Sequence, residues 1–407
     1  MDILIKQARI DDSTELCDIA IENGKIIGIE SNIAGEAARI IEADGKVLIP
    51  GLVESHLHLD KALIANRLPN KSGTLQEAIS VTAQLKPTFT KDDIRDRARR
   101  TLDMLVKNGT THLRTHSEFD PSQGFAGLEV ILELREEYKN LMDIQVVAFP
   151  QEGIFKAPGT DKMMHEAMAM GCDIVGGVPY NDLSAKEHID FVFELAKKYN
   201  KPIDLHQDFK DNAEGTTIDY VAEKTIAEGF VGKVSVGHLT SIAAMPREQL
   251  MPIIEKMHEA QISVMSLPCT DLHLGARNDA YNVRRTVTPI RLLRDGGVNM
   301  CIATNNIRNA FTPYGNGDLM LTAMIAIPAA HLGGADDLHT VLPMITTNPA
   351  KALDLKGYGI QVGNNADLVL LDTASVTNAI IDMPARLFVV KNGKVTVETV
   401  RQVKVNA

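Results

Sequence analysis

Histidines gather where short apolar runs of this chain end. LVESHLH carries His56 and His58, THLRTHSE carries Arg114 and His116, PIDLHQD carries His206 and Asp208, and KVSVGHLT carries His238. Five of the twelve histidines fall at such ends, too many for a random scatter over surface and core. His56 and His58 stand two apart, so strand alternation turns both imidazoles to one face. Imidazole is the usual ligand of zinc, iron and related divalent ions. Together with His206 and His238 the pair predicts a mononuclear metal site. An open position on such a metal holds a water whose pKa falls toward ~7, which supplies a hydroxide nucleophile. His238 is read as a further ligand or as the base beside the metal, and His116 as a group orienting a ligand or as structural.

Other residues at or beyond these ends are suited to hold a substrate. Gln151 both donates and accepts, which matches an amide-like or amidine-like ring edge. Phe311 could stack on a flat ring, or pack in the core. His273, in TDLHLGARND, is either a pocket contact or a loop residue. The run VNMCIATNN closes on Asn305 and Asn306, residues that are poor in strands and ordinary in turns.

Elements must bring these ends together. Eight apolar runs, from VLIPGLVESHLH to VNMCIATNN, alternate mostly with helical stretches such as KDDIRDRARRTLDMLVKNG and AKEHIDFVFELAKKYN. Ser184 with Glu187 has capping-box spacing, and Gly109, Gly171, Gly229 and Gly296 stand where helices should stop. This rhythm predicts a (β/α)8 barrel over residues 51–354, with chemistry at the C-terminal ends of its strands. The rival, an open doubly wound sheet, lacks a GxGxxG after its first strand. Residues 1–50 and 355–407 alternate apolar and polar positions around Asn-Gly turns at 23–24 and 392–393. They are expected to form one small β domain, a sandwich of the two terminal segments.

The bulk composition narrows the function classes. With 44% hydrophobic and 23% charged residues the chain reads as an ordinary globular protein. A net charge of -11 and the absence of a basic run argue against nucleic acid or an anionic membrane as partner. No apolar stretch approaches the ~18 residues that span a bilayer. The N-terminus lacks the order of a signal peptide, and Cys17, Cys172, Cys269 and Cys301 form no CxxC pair. A reduced cytoplasmic setting is the expectation.

PGLVESHLHLDKAL resembles the first metal-binding strand of the amidohydrolase superfamily. DIQVVAFPQEGI, GCDIVGGVP, IDLHQD and VGHLTS resemble segments of its cytosine deaminase branch, and YGIQVGNNADLVLLD resembles the tail of its split β domain. The resemblance implies a homo-oligomeric hydrolase with one iron or zinc ion that removes an amino group from a small nitrogen heterocycle. His56, His58 and His206 then match metal ligands, His238 the histidine that contacts the hydroxide, and Gln151 a glutamine on the ring edge. Cytosine, creatinine and aminotriazines are candidate substrates. Opening of a cyclic amide, release of an alkylamine, or ligand binding without activity are the alternatives.

Two departures stand out. The family's acid/base glutamate, three residues after the fifth-strand histidine, is replaced by Phe209. The aspartate of the eighth strand, a ligand and proton acceptor, is replaced by Asn305. An amide oxygen coordinates weakly and has no useful basicity. Asp208 would share a face with His206 if the strand continued, so it is expected to substitute as acid/base, with His238, or a substrate amine basic enough to need little help, as the other routes. Asn305 is expected to remain at the metal and Asn306 in the pocket.

Overall fold

The computed structural model describes residues 1–402, 404 and 405. Alternating residues at the N-terminus form β1 (Ile3–Ala8), β2 (Cys17–Glu22), β3 (Lys25–Glu30), β4 (Arg39–Glu42) and β5 (Val47–Pro50). The β2–β3 hairpin turns on Asn23 and Gly24, both at positive φ (51° and 77°), as an Asn-Gly turn requires. The run VLIPGLVESHLH is two strands rather than one, broken at Gly51. A Cβ there would lie 2.2 Å from Thr111 Oγ1, so only glycine lets the chain pass.

Beyond that break the barrel strands follow: β6 (Leu52–Leu57), β7 (Thr110–Glu118), β8 (Asp143–Phe149), β9 (Ile174–Gly177), β10 (Ile203–Gln207), β11 (Val234–His238), β12 (Ser263–Ser266) and β13 (Asn299–Ile302). They pair in chain order and in parallel, and they are buried on both faces, as in a sheet wrapped by helices. The sheet is a nearly closed (β/α)8 barrel, and its closing contact is at the mouth. There Asn305 N bonds His56 O (2.8 Å) and His58 N bonds Asn305 O (3.0 Å). Helices Lys91–Lys107, Ala126–Tyr138, Ala185–Tyr199 and Ile218–Ala227 lie where the periodicity sets them. Ser184 Oγ caps the third of these by accepting from Glu187 N. No helix among the described residues is long and apolar enough to cross a membrane.

The C-terminal strands β14 (Leu368–Leu371), β15 (Arg386–Lys391) and β16 (Lys394–Glu398) join β5 in one sheet, while β1 to β4 form a second. The two sheets enclose a core that includes Ile5, Ile19, Ile21, Leu48, Leu368 and Leu370. They are tied to the barrel by Lys391, whose fully buried ammonium bonds Asp367 (2.8 Å) and Asp143 at the start of β8 (2.7 Å). Removing the cation strands the buried Asp367 carboxylate. Lys391→Met is therefore expected to cost about 3 kcal/mol in chemical denaturation, whereas Lys394→Met, at an exposed position of the next strand, should stay within about 0.5 kcal/mol.

Candidate active site

Three buried imidazoles converge at the mouth. β6 carries His56 just before its last residue, Leu57, and leads directly into His58, while β10 carries His206. His206 Nε2 lies 3.1 Å from Nε2 of both His56 and His58. Burial, together with neighbouring imidazoles, and at His56 and His58 also Lys61, holds all three well below the usual histidine range. They are neutral, and ring nitrogens so close need a shared proton or cation between them. Metal–nitrogen bonds of ~2.1 Å set ligand nitrogens about 3 Å apart, so the spacing suits a divalent ion. Asn305 Oδ1, buried and without a hydrogen-bond donor, is a fourth oxygen-type ligand available beside them. The residues present therefore fit the metal that the sequence implied.

Groups around this cluster fix its members. His238 ends β11, and its Nδ1 lies 2.7 Å from Asp271 Oδ1. One of its ring nitrogens falls within 4.8 Å of ligand atoms of His56 and His206. Phe209 lies flat against the same imidazole, at 4.0 Å and 12° between planes. His116 gives its Nε2 to Asp204 (3.0 Å), whose other oxygen accepts from Arg114 (2.8 Å). It supports the His56 ring from below, 4.0 Å between centroids. Deeper still, Glu54 accepts from the amides of His56 and Thr304, and burial pushes its carboxyl up to about 7 against those bonds.

Backbone conformation at the strand ends decides where side chains point. His238 (φ 69°), Asn305 (φ 65°) and Asp208 (φ 46°) all occupy the left-handed region, a concentration of strain that marks functional sites. Asn and Asp tolerate it best. At Asp208 this turn overturns the expected placement. β10 stops at Gln207, and the Asp208 carboxylate accepts from Thr217 N and Ile218 N (both 3.0 Å) at the start of helix Ile218–Ala227. Its negative charge is used at a helix N-terminus, and Asp208 does not line the cavity. His273 is also misplaced as a pocket contact. It sits two residues after Asp271 on helix Pro268–Leu274, about 200° around the axis, and faces Arg277 instead (3.1 Å).

A small cavity over the histidine cluster is lined by His58, Lys61, Leu75, Gln151, Tyr180, Phe209, Asn306 and Phe311 with His206, His238 and Asn305. A larger hollow opens at the opposite end of the barrel, among Lys197, Lys201 and Lys233, away from the histidines. Lys61, Tyr180 and Asp271 were not singled out by sequence patterning. Lys61 Nζ pairs with Glu118, lies 3.1 Å from Gln151 Oε1 and sits 4.3 Å above the Phe311 ring. Glu118 also pairs with Lys86 (2.8 Å), and the two cations hold its carboxyl low although burial opposes them. The nearest sequence signal for Lys61 was its position three residues after His58.

These placements make opposite demands on two variants. Asp208→Ala should cost about 1 kcal/mol of stability by uncapping its helix and leave zinc retained through dialysis. His206→Ala should lose the zinc with the fold intact by circular dichroism.

Comparison with known proteins agrees with this geometry. Residues 39–397 match the model of the amidohydrolase family. The chain is 33% identical to N-isopropylammelide isopropyl amidohydrolase of Pseudomonas sp. (strain ADP), over 98% of this chain and 97% of the relative. Pterin deaminase of Rhizobium rhizogenes is 29% identical over 93% and 87% of the two chains. The crystal structure of 5-methylcytosine deaminase from Klebsiella pneumoniae, liganded with phosphonocytosine, superposes with a TM-score of 0.94 at 31% identity, covering 99% of this chain and all of that one. By its sequence, its barrel and its histidine cluster, this chain belongs to the amidohydrolase family, on the cytosine deaminase-like side.

Proposed function

We propose that this protein hydrolyses an exocyclic C–N bond of a small, planar nitrogen heterocycle, replacing an amino or alkylamino group by oxygen. The observation that carries this reading is the convergence of three neutral imidazoles and an unbonded amide oxygen at the floor of a small pocket walled by Gln151, Lys61 and Phe311. A divalent ion bound by His56, His58, His206 and Asn305 would acidify a water toward ~7 and so supply the nucleophile. Gln151 and Lys61 hold the polar edge of the ring, and Phe311 offers it a face. Asn306 borders the same space with its carbonyl oxygen engaged by Asn309 (2.6 Å). His238, oriented by Asp271, accepts a proton at its second ring nitrogen and returns it to the departing nitrogen.

Relatives named for isopropylammelide, pterin and 5-methylcytosine support a heterocyclic substrate in which an amine leaves. Phe209 favours an alkylamine over ammonia as the leaving group. Its ring places an apolar surface against the proton-carrying His238, where the family has a second acid. An alkylamine is basic enough to leave with one proton donor.

Purified protein loaded with one equivalent of iron or zinc should release amine from at least one member of a panel of cytosine, creatinine, aminotriazines and N-alkylated aminotriazines. Ammonia and alkylamine are measured separately. Release from none, at full metal occupancy, overturns the reading. With the active compound, His238→Ala should lower kcat at least ~100-fold, the lower range for a positioned acid/base.

A further inference from the structure

The first and last strands of the barrel touch at one isolated bridge. Pairing is continuous from β6 round to β13, but among the described residues β6 and the chain after β13 share only Leu57 with Asn305 as partners. Just below it a side chain replaces the ladder. Glu54 Oε1 accepts from His56 N at 3.1 Å, and Thr304 N lies 3.2 and 3.1 Å from the two carboxylate oxygens. Glu54 is fully buried, two residues before His56, and the β6–β7 register shifts between Glu54 and Leu57. Its interactions are with the Thr304 side chain and the amides of His56 and Thr304, with no lysine or arginine among its partners. Ionising a carboxyl buried in this way is costly unless a cation lies close by. Meanwhile the ligand set beside it, three imidazoles and one amide, contributes no charge.

We propose that Glu54 is the counter-charge of the metal centre: it supplies from beneath the negative charge that Asn305 does not. Its hydrogen bonds to His56 and Thr304 also fix the two chain segments that carry the ligands His56 and Asn305. It is a positioning residue and does not itself touch the metal. The inference rests on the metal-site reading above, and it adds a residue that the cavity lining does not include.

Zinc affinity tests it without recourse to catalysis. Metal-stripped wild type, Glu54→Gln, Asn305→Asp and the double variant are titrated with zinc against a chromophoric chelator, and folding of each apo form is checked by circular dichroism. Glu54→Gln should weaken zinc at least tenfold. Adding Asn305→Asp to it should restore affinity to within threefold of wild type, because a carboxylate at the metal replaces the one beneath it. On the wild-type background Asn305→Asp should gain less than threefold. Undiminished binding by Glu54→Gln, or a double variant as weak as Glu54→Gln, overturns the proposal. If Glu54→Gln does not fold, Asn305→Asp alone decides, and a gain of tenfold or more overturns it. Failure of wild type to bind zinc at all removes the metal site itself and the proposal with it, an outcome distinct from the others.

Discussion

The site depends on how the barrel closes. Seven neighbouring strand pairs are held by ordinary ladders, while the eighth junction rests on the reciprocal bonds of Asn305 with His56 and His58. Those bonds involve the backbones of three residues whose side chains all point into the metal cluster. The closing contact of the fold and the ligand set of the site are thus one structure. Anything that slips β6 against the end of β13 moves His56 and His58 relative to His206, and the Nε2 atoms that now lie 3.1 Å apart would part.

Charge around this junction is arranged in layers. The imidazoles are kept neutral by burial, so their lone pairs are available at neutral pH. To one side Lys61, Glu118 and Lys86 form an alternating buried chain that turns a cation toward Gln151. Beneath lies Glu54. A counter-charge need not touch a metal to matter in such a place.

What could be read in advance follows from local physics. Alternation and Asn-Gly turns identified the terminal hairpins, and helical periodicity with capping residues located the main helices. The HxH pair placed two imidazoles on one face because strand geometry alone fixes that. What could not be read depends on a single dihedral or on distant partners. Asp208 turns from its expected face through one left-handed residue, and nothing in IDLHQD announces where a strand will end. His273 and Asp271 exchange roles through the phase of a short helix. Lys61 becomes a pocket wall only because Glu118, on the next strand, holds its ammonium inside. The division of VLIPGLVESHLH at Gly51 reflects the close approach of Thr111, which a continuous apolar run conceals.

The left-handed backbone at Asn305 limits which residues can stand where the resemblance implies an aspartate. With φ at 65°, the position strongly favours Asn, Asp or Gly. Asparagine keeps both the turn and an oxygen directed at the cluster, so the exchange from aspartate alters charge and basicity while leaving shape intact. Proton transfer then has few carriers. The Asn305 amide cannot take a proton, Phe209 has none to give, and the Asp208 carboxylate is bound to a helix terminus. Burial raises the Tyr180 hydroxyl far from neutrality, and Lys61 is paired with Glu118. In the reaction proposed above, of the side chains lining the cavity, the imidazole of His238 would be left to serve both ends. A site with one carrier instead of two depends more heavily on the basicity of the nitrogen that leaves, and so the substitution at Asn305 reaches beyond the metal to the choice of substrate.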